Sequence, residues 1–139
     1  MHSLLKLPAS VLLLALGGDG RAAELDVTIT GVSLKNGTVL VGLFRPGMSF
    51  TGKPLAYASA QPNGALAKVE FTPIAPGEYA VSAFQDANGN QRLDRGKFGI
   101  PTEKYGFSRD ARGNYGPPEF VDALIRVGEK GAAISFTLE

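Results

Sequence analysis

The chain has 139 residues, 44% of them hydrophobic and 19% charged, with 18 Gly, 9 Pro, no Cys, no Trp and a single His. That length makes one domain, and a formal net charge of +1 predicts neither a phosphate-tracking surface nor a polybasic membrane anchor, so nucleic acid is not an expected partner. The only histidine, His2, lies in the first segment, so the remaining chain excludes Ser-His-Asp and Cys-His nucleophiles, thiol redox chemistry, His- or Cys-ligated haem and the usual zinc and copper sites. Oxygen chemistry is left: Asp, Glu, Asn and carbonyl groups that hold hard cations such as Ca²⁺, or paired carboxylates doing acid/base work.

Residues 1–23 read as an export signal, with Lys6 near the start, an apolar run from Leu7 to Leu16 and a Gly-rich segment ending in Ala22-Ala23. A run of about ten residues is too short to span a bilayer. Cleavage after Ala22 or Ala23 leaves a domain from about residue 24 to 139, with 12 basic and 12 acidic side chains once Lys6, Arg21 and Asp19 are gone. The expected product is a periplasmic or secreted monomer with no membrane span.

The strands follow in order. Leu25-Asp26-Val27-Thr28-Ile29-Thr30 alternates, with Leu25, Val27 and Ile29 on one face. A turn at Lys35-Asn36-Gly37 leads to Thr38–Phe44, apolar on both faces and so central in a sheet. Pro46-Gly47 and Thr51-Gly52-Lys53-Pro54 punctuate a loop before a weaker strand, Leu55–Ala60. Asn63-Gly64 turns into Leu66–Thr72, and Pro76-Gly77 into Glu78–Phe84. Phe120–Val127 and Ala132–Leu138 close the chain around a Glu129-Lys130-Gly131 turn, with Ile134, Phe136 and Leu138 on one face. No helix is predicted after the signal. About seven strands at this spacing predict an all-β fold, an antiparallel β-sandwich, immunoglobulin-like or transthyretin-like, with a small closed barrel as the alternative.

Residues 85–119 contain no clear strand, and a segment that long is usually functional or disordered. Its rings (Phe98, Tyr105, Phe107, Tyr115) and its glycines predict an ordered loop over one end of the sandwich. The stretch Asp86-Ala87-Asn88-Gly89-Asn90-Gln91-Arg92-Leu93-Asp94 has oxygen side chains at positions 1, 3, 5 and 9, Gly at 4 and an apolar residue at 8. These are the first two thirds of an EF-hand-type calcium loop, with the Arg92 carbonyl available at position 7. The departures are Gln91 instead of Gly at position 6 and Lys97 instead of Glu at position 12. A Ca²⁺ site at Asp86, Asn88, Asn90, Arg92 and Asp94 would therefore borrow further carboxylates from Glu103, Asp110 or Glu119. The competing reading makes these side chains ordinary Asx-turns.

Downstream, Tyr105, Phe107, Arg109, Arg112 and Tyr115 interleave rings with cations. They make either a surface for an envelope ligand or protein partner, or the loop's own small core. Arg112 beside Asp110 reads as an exposed ion pair. Two further readings stay open: a glycan hydrolase using two carboxylates among Glu103, Asp110 and Glu119, and an assembly module pairing through an edge strand.

Gly77-Glu78-Tyr79-Ala80-Val81, Phe84 to Asn90, Leu93-Asp94, Gly99-Ile100-Pro101, Tyr105-Gly106-Phe107-Ser108, Ala111-Arg112-Gly113 and Gly116-Pro117-Pro118-Glu119-Phe120 together resemble the bacterial family called domain of unknown function 2141. The resemblance implies a small exported protein of the bacterial envelope and brings no activity, cofactor or catalytic residue. Gln85 stands where it implies a charged or more polar residue, and Gln91 where it implies Gly. The Pro76–Val81 turn and strand is also similar to that of transthyretin-like and carboxypeptidase-regulatory-like sandwich domains, which implies the same fold.

Overall fold

A computed structural model describes residues 22–33, 37–94, 103–114 and 116–139. Most of the expected signal, the Lys35-Asn36 turn, Lys97, Phe98, Gly99-Ile100-Pro101 and Tyr115 lie outside the described residues. Eight strands occur among the described residues: β1 (Ala23–Thr30), β2 (Thr38–Phe44), β3 (Ala56–Ala60), β4 (Leu66–Ile74), β5 (Gly77–Asp86), β6 (Tyr105–Phe107), β7 (Ile125–Val127) and β8 (Ala132–Thr137). They form one sheet in the order β4-β1-β8 and another in the order β3-β2-β5-β6, with β7 also on β5. The fold is an all-β sandwich.

Period-2 alternation explains the layering. Leu25, Val27, Ile29, Phe71 and Phe136 on one inner face meet Val39, Val41, Leu43 and Val81 on the other, each at most 1% exposed. β2 is central, between β3 and β5, as its two apolar faces predict. The Tyr79 hydroxyl, at the core's edge, donates to the Ala75 carbonyl at 2.6 Å and ties the β4–β5 turn down.

Four expectations are corrected. The sandwich is not wholly antiparallel, because β8 runs parallel to β1, with Leu25 opposite Ala132 and Thr30 opposite Thr137. The 85–119 segment is not strandless: Gln85 and Asp86 end β5, and β6 pairs Tyr105 with Phe84 and Phe107 with Ser82. Phe120–Val127 is not one strand, since Phe120–Ala123 is a single helical turn, α1, followed by β7. Tertiary packing overrides strand propensity there: the Phe120 ring stacks on Phe50 with centroids 5.8 Å apart, and Ala123 is fully buried. Lastly, Arg112 pairs with Glu139, while Asp110 accepts the Thr137 N–H at 2.9 Å.

β6 and β7 share the outer edge of β5, opposite residues 82–84 and 77–79 respectively. Ser108, in a 3-10 turn after β6, bridges the space between them: its hydroxyl accepts the Val81 N–H at 3.0 Å and donates to the Ala123 carbonyl at 2.6 Å. Tyr105 and Glu139 exchange both backbone hydrogen bonds, at 3.2 and 3.0 Å, linking β6 to the chain just after β8 and closing the sandwich on that side. Gly106 makes this approach possible, because a Cβ there would lie 2.5 Å from the Thr137 carbonyl oxygen.

Candidate functional site: an oxygen-lined loop at one end of the sandwich

The ends of β1, β5 and β8 and the start of β2 meet at one end of the sandwich. Gln85, 1% exposed, organises this end. Its Oε1 accepts the Ser33 N–H at 2.9 Å, and its Nε2 donates to the Ser33 and Gly37 carbonyls at 2.7 and 2.9 Å. The Lys104 ammonium adds a 2.6 Å bond to the Gly31 carbonyl. Gly31, Ser33 and Gly37, which flank the β1–β2 turn, are thus fastened to both roots of the long loop, at Gln85 and at Lys104.

Asp86, the last residue of β5, is 5% exposed. Its Oδ2 accepts the Gln91 N–H at 2.7 Å, while its Oδ1, equally buried, has no hydrogen-bond partner. The Asn88 Oδ1 accepts the Asn90 N–H at 3.1 Å, and the Asn90 Oδ1 accepts the Arg92 N–H at 3.0 Å. Both are Asx-turns, as the competing reading requires. The two amide groups also donate to the Asp94 carboxylate, Asn88 at 2.6 Å and Asn90 at 2.8 Å. The turns therefore gather Asn88 and Asn90 around Asp94, with Asp86 held to the same loop through the Gln91 N–H. Gly89 has φ +75° and Gln91 φ +63°, so the fourth and sixth loop residues both take the left-handed conformation, although the sixth is not glycine. Such turns do not oppose cation binding, because an amide oxygen that accepts one N–H keeps a second lone pair. The donor set is entirely hard oxygen, the kind that suits Ca²⁺ or Mg²⁺.

Of the three carboxylates proposed as supplementary donors, one reaches this loop. Glu103 Oε2 accepts the Ala87 N–H at 2.8 Å and Oε1 accepts the Asp94 N–H at 3.0 Å. Asp110 instead satisfies the backbone of β8, and Glu119, exposed, precedes α1.

The suggested ring-and-cation surface divides. Phe107 is 9% exposed and belongs to a second small core with Ala80 and Ala123, against which Phe50, Tyr105 and Phe120 pack. Its ring lies 4.9 Å from that of Phe50, so it is a packing residue and not a presented one. Tyr105 is half-buried, whereas Arg109 and Arg112 are exposed. A cleft of about 210 Å³ lies among Tyr105, Asp110, Arg112, Thr137 and Glu139.

Sequence reasoning did not find a second acidic group. Glu24, Asp26 and Glu70 bring carboxylate oxygens within 4.8 Å of one another on the outer face of β1 and β4. The Asp26–Glu70 pairing creates it, and only knowledge of the register would have revealed it. The Glu24 carboxyl is held above the usual range chiefly by its hydrogen bond with Glu70, then by desolvation and Glu70's charge, against a smaller lowering by Asp26. Asp26 is raised by desolvation and then by Glu24.

Fold and site define a small β-sandwich that carries one oxygen-lined loop at its end. The chain belongs to the bacterial family described as "uncharacterized protein conserved in bacteria" (DUF2141), whose model matches residues 27–135, from within β1 to within β8. No curated protein and no solved structure matches it. Among the described residues, no helix is long and apolar enough to cross a membrane.

Proposed function

We propose that this protein is an exported, non-enzymatic binding module of the bacterial envelope, whose 86–94 loop is organised by Ca²⁺ and presents Tyr105, Arg109 and Arg112 to a ligand or protein partner. The observation that carries the reading is Asp86: a carboxylate 5% exposed, at the start of a loop rich in oxygen side chains, with one oxygen that no hydrogen bond serves. A buried anionic oxygen left without a donor is costly, and a bound cation removes that cost. Asn88, Asn90, the Arg92 carbonyl and Asp94 supply the other oxygens. The cation's role is organisation: it offsets the repulsion between Asp86 and Asp94 and fixes the loop beside β6.

The non-enzymatic part is supported by a sequence with no His after His2 and no Cys, and by the backbone bonds that occupy Glu103 and Asp110. Export is supported by the 1–23 segment. Ala23 opens β1 opposite Ile74 and is 7% exposed, so cleavage after Ala22 keeps the strand whole. Intact-mass analysis of the exported protein then finds Ala23 first, and a retained Met1 refutes export.

The test is a thermal melt of the protein in EDTA and in millimolar Ca²⁺, with Mg²⁺ as control and Asp86→Ala alongside. Ca²⁺ at about 100 times its dissociation constant adds roughly 2.7 kcal/mol, on the order of 10 °C for a domain of this length. A Ca²⁺-specific rise that Asp86→Ala abolishes supports the reading. An unchanged melting temperature refutes it.

A further inference from the structure

The two outer faces of the sandwich differ in chemistry. On the three-stranded sheet the outward residues of β1 and β4 include Glu24, Asp26, Lys68 and Glu70, the charges expected of a face that meets water. On the β3-β2-β5-β6 sheet the register sets Ser59, Leu40, Phe84 and Tyr105 side by side across all four strands, and cross-strand neighbours on one face have Cβ atoms about 5 Å apart. The adjoining row starts with Tyr57, followed by Gly42 and Ser82. Neither row contains a charged residue, and Asp86, the next outward residue of β5, is 5% exposed.

This face is covered at one end. Phe50 packs there with its ring against Phe44 and Phe107, and a Cβ at Gly42 would meet Pro54 at 3.3 Å. On the other side of Gly42, Leu40 and Phe84 are half-buried and belong to neither hydrophobic core. Tyr57, at the edge of the same face, is 60% exposed. Apolar side chains gathered on an open face, where the opposite sheet carries charges, mark a binding surface.

The composition of the rows decides what fits them. The rings and Leu40 alternate with the hydroxyls of Ser59, Tyr57, Ser82 and Tyr105, so the complementary ligand is uncharged and offers both C–H faces and hydroxyl edges, as a pyranose does. A phosphate or a uronate finds no cation in either row. An added peptide strand needs a free edge, whereas β2 and β5 are paired on both sides. A second copy or another stable protein partner needs roughly 20–30 residues a side, far more than these two rows supply.

We propose that the outer face of the β3-β2-β5-β6 sheet, at Tyr57, Leu40, Phe84 and Tyr105, binds an uncharged glycan chain laid across the strands. This goes beyond the reading of the 86–94 loop: it shares only Tyr105 with it and needs neither the cation nor Arg109 and Arg112.

The experiment presents the protein with immobilised uncharged oligomers of glucose, mannose, galactose and N-acetylglucosamine, and with polygalacturonate and alginate as anionic controls. Calorimetry then measures the oligomer that binds best against wild type, Tyr57→Ala and Tyr57→Phe, in EDTA and in Ca²⁺, while thermal melts report that each variant folds. The expected result is binding of an uncharged oligomer, equal in EDTA and Ca²⁺, with amide shifts at Leu40, Tyr57 and Phe84 in two-dimensional NMR. Tyr57→Ala weakens it roughly 3- to 10-fold, as loss of one ring contact requires, and Tyr57→Phe, which keeps the ring, weakens it less. No binding of any uncharged oligomer at millimolar concentration, or binding of the anionic polymers alone, overturns the inference. Binding that depends on Ca²⁺ and shifts residues 86–94 instead overturns it and supports the loop reading. Dimerisation that Tyr57→Ala abolishes assigns the face to a second copy and also overturns it. A melt unchanged by Ca²⁺ beside intact oligomer binding refutes the loop reading and leaves this one standing.

Discussion

Ser108→Ala isolates the device that seals the outer edge of β5. The Ser108 side chain is fully buried, and its hydroxyl is the acceptor for the Val81 N–H at 3.0 Å and the donor to the Ala123 carbonyl at 2.6 Å. Alanine removes one oxygen, leaving little cavity, so the cost is polar. Two hydrogen bonds are lost, and a buried N–H loses the acceptor that replaced a neighbouring strand. An unpaired buried backbone group costs about 1–3 kcal/mol, so the substitution costs about 2–4 kcal/mol, against a total of about 5–15 kcal/mol for domains of this kind. Urea unfolding followed by circular dichroism measures it as a lower midpoint at unchanged slope, accompanied by a fall of roughly 10 °C in melting temperature. Faster hydrogen exchange should concentrate at Val81 and in β6 and β7. A loss below about 0.5 kcal/mol, the size of an ordinary surface substitution, would refute the argument that a side chain completes this edge.

Gly106→Ala drives a Cβ to 2.5 Å from the Thr137 carbonyl oxygen; it should cost about 1–3 kcal/mol in urea unfolding and speed exchange of the Tyr105 and Glu139 amides. Gln91→Gly relieves a left-handed residue at φ +63°. Relief of about 1 kcal/mol of local strain, partly offset by chain entropy, should leave stability equal or higher and raise Ca²⁺ affinity by calorimetry. Because Glu24 and Asp26 titrate above their usual values, their ionised forms oppose folding. That destabilisation is complete above the raised folded values and vanishes as pH falls to the ordinary carboxylate range, so this cluster adds stability on acidification through that window. Glu70→Gln removes the largest cause at Glu24 and should flatten this part of the stability-against-pH curve, measured by urea midpoints from pH 7 downward.

The sequence makes the sandwich readable because burial imposes a strict period on it. Leu25, Val27 and Ile29, and again Phe136 and Leu138, leave no second face to choose. The parallel partnership of β1 and β8 has no local signal, since it joins residues more than a hundred positions apart. β6 is hidden for another reason: three residues with a central glycine have weak strand propensity, and only the close approach to Thr137 explains the glycine. Phe120–Ala123 has the composition of a strand yet turns helically, because the Phe120 ring has a partner in Phe50. At the candidate site, the spacing of Asp86, Asn88, Asn90 and Asp94 is legible, as oxygen side chains on alternate residues converge wherever the backbone winds tightly. The part played by Glu103 is not, because it depends on the path of the chain after Asp94. Phe107 shows the limit of composition: a ring between Gly106 and Ser108 reads as the loop's own core before it reads as surface, and its contact with Phe50 settles it as core.

The central claim, that the 86–94 loop takes a hard divalent cation, is tested most directly by a Ca²⁺ titration of the ¹⁵N-labelled protein followed by two-dimensional NMR. The account predicts saturable shifts confined to residues 86–94 and 103, largest at the Gln91 amide that bonds to Asp86, and absent in Asp86→Ala. Amide positions in that loop that stay fixed to 10 mM Ca²⁺, a concentration above about 10⁻³ M where even weak extracellular calcium modules fill, would contradict it.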